Sequence, residues 1–429
     1  MVHRDAQLKA LVPFLHDVEP LIEHLRAAHV PGDASAQVDG LAKTVLHSWL
    51  EVLCPLASDV TLRDLYSDVV SSNVNRFRMA KLYELIDSIT ADVAYRHTDG
   101  LDPVRPLALV TAGHYDAKWL HPIDIFRDLA VRSYVVGTGK SSLEIRTDAL
   151  QTAKDGHEYL VHFCHTVMVA MDKFSGKVVD VPPLSLEVDD IGGGGKHRAE
   201  IVEQNRRARK NRQAVSMTLR GKSIPPSPNE MDKVHQLFLE AVRIEESGLD
   251  EERWQWMSKW TFTNSLMIYP EQKNLHGKLF GGFVAQTAYE LASFTATAFC
   301  GEDPLPLGFD QMLFHQALAI GDLVLFTSRV VYTEGRAMRI WVEVEVLDRQ
   351  QVFNLGIRRR WVSGKRTNNL EFVFAQAHGS PVPLRKIQPQ TYPEVMMYLC
   401  ARRWQQERGP TEAQIKTYES SSTEDGPPR

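Results

Sequence analysis

Two glycines, Gly281 and Gly282, stand at the head of a long apolar run, FVAQTAYELASFTATAFC at 283–300, with Asn274 and His276 a few residues upstream. Without a β-carbon, glycines at the start of a helix let backbone N–H groups come close to a ligand, and the positive end of that helix favours negative charge. A carbonyl oxygen that gathers charge while water attacks its carbon is the kind of group such an end stabilises. Asn274 and His276 are placed to orient the water or hold the reacting group, and a carboxylate is needed as base or nucleophile. Glu290, eight residues beyond Gly282, would lie about 12 Å further along a regular helix, too far to serve the same carbon.

The carboxylate has a second source. SSNVNRFRMAKLYELID at 71–87 lies over NLHGKLFGGFVAQTAYE at 274–290, with Phe77 on Phe280 and Asp87 on Glu290 at an offset of 203 residues. Such self-similarity marks a repeated structural unit. Each copy continues as an apolar helix, carrying Met79, Leu82, Tyr83, Leu85, Ile86 and Ile89 in the first and Phe283, Val284, Ala288, Leu291, Phe294 and Ala298 in the second. A helix with so little polar surface must be wrapped by something else. If the two copies pair with their helices antiparallel, the tip of one helix meets the mid-helix carboxylate of the other. The productive set is then Asn274, His276, Gly281 and Gly282 from the second copy with Asp87 from the first, Asp87 acting as general base or as nucleophile. The mirror set joins Glu290 to Ser71, Asn73, Arg78 and Met79, which puts side chains where the glycines stood; one working site per chain is expected.

The wrapping elements are strands. LVLFTSRVVY at 323–332, MRIWVEVEVL at 338–347 and VFNLGIRRRW at 352–361 are rich in β-branched and aromatic residues, and Ile340, Val342, Val344 and Val346 alternate with Trp341, Glu343 and Glu345. LAVRSYVVG, SSLEIRTDAL and EYLVHFCHTVMVAM repeat the plan in the first copy. A long buried helix followed by an antiparallel meander that curls around it is the hot-dog fold, so the expectation is an α+β chain with two hot-dog domains in tandem. The divisions expected are a helical N-terminal segment at 1–55, hot-dog domain 1 at 56–185, a Gly-rich, charged connector at 186–253, hot-dog domain 2 at 254–378, and a largely disordered tail at 379–429.

Bulk properties narrow the function. A formal net charge of −5 gives no field for nucleic acid, and RRARKNR at 206–212 reads as a solvated helix face. Cys54, Cys164, Cys300 and Cys400 are far apart and form no CxxC pair, which argues against a zinc site or a disulfide scaffold. No apolar run approaches the ~18–20 residues of a membrane span. GTGKSS at 137–142 lacks the first glycine of a phosphate loop, Tyr134 standing in its place, and runs into a strand. No GxSxG elbow occurs, and HEYLVH at 157–162 is one residue too long for HExxH. No metal ligand set is expected.

The chain resembles the double-hot-dog acyl-CoA thioesterases, in particular their mitochondrial group. The residues that carry the resemblance are PLASDVTLRDLY at 55–66, MAKLYELID at 79–87, VVGTGKSSLEI at 135–145, TYPEVMMYL at 391–399 and above all KLFGGFVAQTAYELASFTATAF at 278–299. It implies hydrolysis of acyl-CoA thioesters to a carboxylic acid and coenzyme A, with an Asn/Asp pair drawn from different modules, here Asn274 and Asp87. Gly281 and Gly282 would face the thioester carbonyl, with His276 and Glu290 in support. It also implies no cofactor beyond the coenzyme A of the substrate, an assembly of several such chains, and mitochondrial residence, for which the acidic start (Asp5, Asp17, Glu19, Glu23) leaves the cytosol as the alternative. Coenzyme A phosphates need cations, for which Arg358, Arg359 and Arg360 are candidates. Two rivals stand beside this reading. One is a hot-dog enoyl-CoA hydratase or dehydratase, for which Asp116 and His121 have a suggestive spacing without an Asn-Pro turn; the other is a non-catalytic acyl-CoA-binding protein.

Overall fold

The computed structural model describes residues 42–68, 76–100, 106–185, 200–204, 225–247, 253–273, 279–314, 317–347, 364–377, 380 and 384–420. Ten strands form one antiparallel sheet: β1 (Leu50–Cys54), β2 (Leu107–Trp119), β3 (Leu129–Thr138), β4 (Ser142–Thr152), β5 (Glu158–Asp172), β6 (Thr261–Met267), β7 (Leu305–Phe314), β8 (Leu323–Glu334), β9 (Ala337–Leu347) and β10 (Gly364–Ala375). Their order is β1-β3-β4-β5-β2-β7-β10-β9-β8-β6. Read from either edge inward, the five strands of each half follow the same plan, and the halves join where β2 pairs with β7, His114 opposite Met312. Gly113 makes that seam possible, because a Cβ there would meet the Met312 carbonyl at 2.5 Å.

Each half-sheet curls around one helix, α1 (Met79–Thr98) in the first and, beyond the intervening α2 (Pro228–Ser247), α3 (Gly281–Cys300) in the second. Leu82, Ile86, Ile89 and Val93 of α1, and Val284, Ala285, Ala288, Ala292 and Ala296 of α3, are buried in one continuous core. Both helices end on a left-handed residue, Asp99 (φ 49°) and Gly301 (φ 76°), which turns the chain back toward its sheet. The two helices run antiparallel against each other, so that Gly282 meets Asp87 while Arg78 meets Glu290. The protein is a tandem pair of hot-dog units whose sheets have merged.

Three segments depart from the expected plan. Residues 50–54 lie in the stretch expected as helix, yet they form β1 and pair with β3, because Leu50, Val52 and Cys54 alternate inward. Residues 228–247 in the expected connector form α2. The tail expected as largely disordered contains α4 (Tyr392–Arg408) and α5 (Glu412–Ser420). Helix α4 starts with a capping box, Thr391 and Glu394, and packs Val395, Met396 and Leu399 onto Val234 and Leu237 of α2. It also roofs the outer face of the second half-sheet, where fully buried Arg339 bonds Asp310 (2.7 Å), Glu371 (2.8 Å) and Gln405 of α4 (3.0 Å). Arg336 clamps α5 through Glu412 (2.9 Å) and Glu419 (2.6 Å), which seats Ile415 and Tyr418 in the main core. The last nine residues lie outside the described set. GTGKSS makes the β3–β4 hairpin, closed by a Gly139 N–H to Ser142 carbonyl bond of 2.7 Å.

Candidate active site

Asp87 lies in the middle of α1 with its side chain 4% exposed, held at the tip of α3. Its Oδ2 accepts the Gly282 N–H at 2.7 Å and its Oδ1 accepts the Thr111 hydroxyl of β2 at 2.9 Å. The glycine pair is what lets the two helices come this close. A Cβ on Gly281 would stand 2.9 Å from Asp87 Oδ2, and one on Gly282 would stand 3.0 Å from the Glu84 Cα and closer still to the Phe280 ring. Burial pushes the Asp87 carboxyl up to about 6, against the downward pull of the Thr111 and Gly282 hydrogen bonds. A carboxylate tuned to that range is ionised near neutrality and still basic enough to take a proton from water.

Gly282 was expected to present its N–H to the substrate carbonyl; it gives it to Asp87 instead. The reason is that a buried carboxylate draws the nearest orphan donor of a helix N-terminus. The first turn of α3 still offers N–H groups that the helix itself cannot use, Gly281 foremost, beside the same carboxylate.

The mirror end is built from the matching residues and looks different. Arg78 caps α1 where Phe280 caps α3. Its Nε donates to Glu290 Oε1 at 3.1 Å, and Gln286 donates to the same oxygen at 3.2 Å. Glu290 is 42% exposed there, against 4% for Asp87, so it is a solvated, ion-paired carboxylate rather than a poised one.

Thr111 and His114 were not singled out by sequence. Three residues apart, they would point to opposite faces of a regular strand. Here β2 pairs Thr111 with Met168 but Gly113 with Val167, so Ala112 is an extra residue. That bulge shifts the phase and turns both side chains toward Asp87. His114 Nε2 stands 3.7 Å from Asp87 Oδ1, and its Nδ1 is 2.9 Å from Thr166 Oγ1 of β5. Burial pushes the imidazole down to about 4, so it is neutral at physiological pH. Asn274, His276, Arg358, Arg359 and Arg360, together with Ser71 and Asn73 of the mirror set, lie outside the described residues.

Other nucleophiles and ligands recede. Burial pushes the Cys54 thiol up to about 12 and Cys164 well above its usual value, which leaves no thiolate for attack. Among the described residues no group of three His, Cys, Asp or Glu side chains is arranged to hold a metal ion, and no helix is long and apolar enough to cross a membrane.

The fold and this buried carboxylate define a tandem hot-dog chain with a carboxylate set against the helix tip of the other unit. The chain is similar to acyl-CoA thioesterases over most of its length. Mouse mitochondrial acyl-coenzyme A thioesterase 10 is 28% identical over 367 residues, covering 84% of this chain and 78% of that protein. Human mitochondrial acyl-coenzyme A thioesterase 9 is 27% identical over 383 residues, covering 85% and 79%. No protein-family profile matches the chain. Among solved structures, an acyl-ACP thioesterase from Bacteroides thetaiotaomicron is 12% identical with a TM-score of 0.43, covering 77% of this chain and 98% of that one.

Proposed function

We propose that this chain hydrolyses acyl-CoA thioesters to a free carboxylic acid and coenzyme A, at one site per chain shared between the two hot-dog units. The observation that carries the reading is Asp87: a buried carboxylate, raised toward neutrality, set against the glycine-opened tip of the other unit's helix. In the step proposed, Asp87 takes a proton from water as its oxygen bonds to the carbonyl carbon, and the N–H groups of the first α3 turn stabilise the oxygen that becomes negative. The C–S bond then breaks, and the departing thiolate receives the proton from Asp87. Direct attack by Asp87, forming an anhydride that water then opens, is the alternative course; the hydrogen bonds to both carboxylate oxygens favour the base role. Asn274 and His276 belong to this proposal as the residues that hold water and thioester.

The substrate supplies coenzyme A, and the chemistry requires no further cofactor. Arg358, Arg359 and Arg360 are proposed phosphate contacts, an assembly of several chains is proposed for the whole, and mitochondrial residence follows the mouse and human relatives. A hydratase is less well supported: Asp116 pairs with Lys118 at 3.9 Å, and the His121 ring meets Tyr159. Thiol release from a panel of acyl-CoAs, measured beside hydration of an enoyl-CoA, tests the reading. Thiol release without hydration is expected; hydration without thiol release, or binding without either, overturns it.

A further inference from the structure

We infer that His114 is a positioning residue for Asp87, donating its Nε2–H to Oδ1 when the carboxylate is charged; this rests on the reading of Asp87 as the base. The tautomer follows from the hydrogen bonds. Thr166 is fully buried, and among the described residues Nδ1 of His114, at 2.9 Å, is the partner of its hydroxyl. Were Nδ1 to carry the proton and donate, the Thr166 hydroxyl hydrogen would have no acceptor among the described residues, a costly state inside a protein. Thr166 therefore donates to Nδ1, which places the ring hydrogen on Nε2. Among the described residues that nitrogen is buried without a hydrogen-bond partner, and it faces Asp87 Oδ1 at 3.7 Å.

The gap exceeds hydrogen-bond range, and the geometry shows how it closes. Oδ1 has already one donor, Thr111, and room for a second, since each carboxylate oxygen offers two lone pairs. Active-site contacts of this kind tighten when charge or substrate arrives. Of the described groups recorded against His114, Asp87 comes from α1, Thr166 from β5 and Phe314 from β7, whose ring meets the imidazole edge-to-face at 5.7 Å. Asp87 alone of these can carry charge. The aromatic wall and the Thr166 bond fix the ring's plane, so the imidazole can shift toward α1 and still point the same nitrogen at the same oxygen. Three donors, Gly282, Thr111 and His114, would then hold the ionised form, each from a different direction, and present its remaining lone pair to water.

The test uses the full chain and reads Asp87 itself. The carboxyl titration of Asp87 is followed by ¹³C NMR, assigned by its disappearance in Asp87→Asn, together with the acid limb of kcat/KM. Removing a donor to the ionised form in His114→Phe should move both upward by about one pH unit. His114→Gln, whose amide N–H reaches a similar place, should return them toward the wild-type value. Thr166→Val, which frees the tautomer, should move them part of the way and serves if His114→Phe does not fold. An unmoved or downward-shifted titration in His114→Phe or in Thr166→Val overturns the inference. Failure of the underlying reading looks different: Asp87→Asn would keep releasing thiol, whatever the NMR titration says about His114.

Discussion

The two ends of the α1–α3 pair occupy equivalent places in the two units and differ in burial, hydrogen bonding and charge. At one end Gly281 and Gly282 let Asp87 press against the helix tip, where it loses water and its carboxyl rises to about 6. At the other, Arg78 caps α1, reaches out to Glu290 and leaves that carboxylate 42% exposed. Burial without a neighbouring cation is what raises the Asp87 carboxyl and makes it the stronger base that proton abstraction needs. The contrast teaches that one helix pairing can bury a carboxylate against a helix N-terminus at one end and leave the carboxylate of the other end paired with a guanidinium in water.

Substitutions at the two ends should break or sharpen this contrast. The largest effect is expected for Asp87→Asn, which should lower kcat for thiol release by about 10²–10⁴-fold, while Glu290→Gln leaves it unchanged; steady-state assays on one acyl-CoA compare them. Gly281→Ala comes next. Its Cβ would sit 2.9 Å from Asp87 Oδ2, and displacing the carboxylate should cost about 10²-fold in kcat/KM. With pH, activity should fall below about 6 as Asp87 becomes protonated, a limb that is lost together with the activity in Asp87→Asn.

Stability should move the other way at the same residue. Because the folded-state value of Asp87, about 6, lies above the ordinary 3.8, its contribution to stability is full below 3.8 and is lost as pH rises through 6. Asp87→Asn escapes that loss, so it should be more stable than the wild type by about 3 kcal/mol at pH 8, with the gain vanishing near pH 4. Urea unfolding at the two pH values measures the difference. The smallest effect belongs to the mirror end: Arg78→Ala should change stability by only about 0.2–1 kcal/mol, and less in high salt, as for other solvent-exposed ion pairs.

Part of this contrast was legible in the sequence, where an offset of 203 residues places Asp87 on Glu290 and Arg78–Met79 on Gly281–Gly282; the antiparallel pairing entered as a condition, and in the structure the helix starts match one residue differently, Arg78 with Phe280. What could not be read is the register inside β2. Strand alternation separates Thr111 from His114, and only the extra residue at Ala112 brings both to Asp87. The C-terminal helices were hidden for a different reason. Val395, Leu399, Ile415 and Tyr418 are spaced for burial, but the polar end SSSTEDGPPR coloured the whole stretch from 379 onward. Residue Leu50 shows a third limit, since five alternating residues inside a helical context carry too little signal to announce an edge strand.

Most direct of all is a crystal structure of the chain with a non-hydrolysable acyl-CoA thioether. One ligand per chain is expected, its atom in the carbonyl-carbon position within reach of Asp87 through one water and its neighbouring oxygen, where present, at the first turn of α3. A ligand whose reacting centre lies beside Arg78 and Glu290, or two ligands occupying both ends alike, would contradict the account.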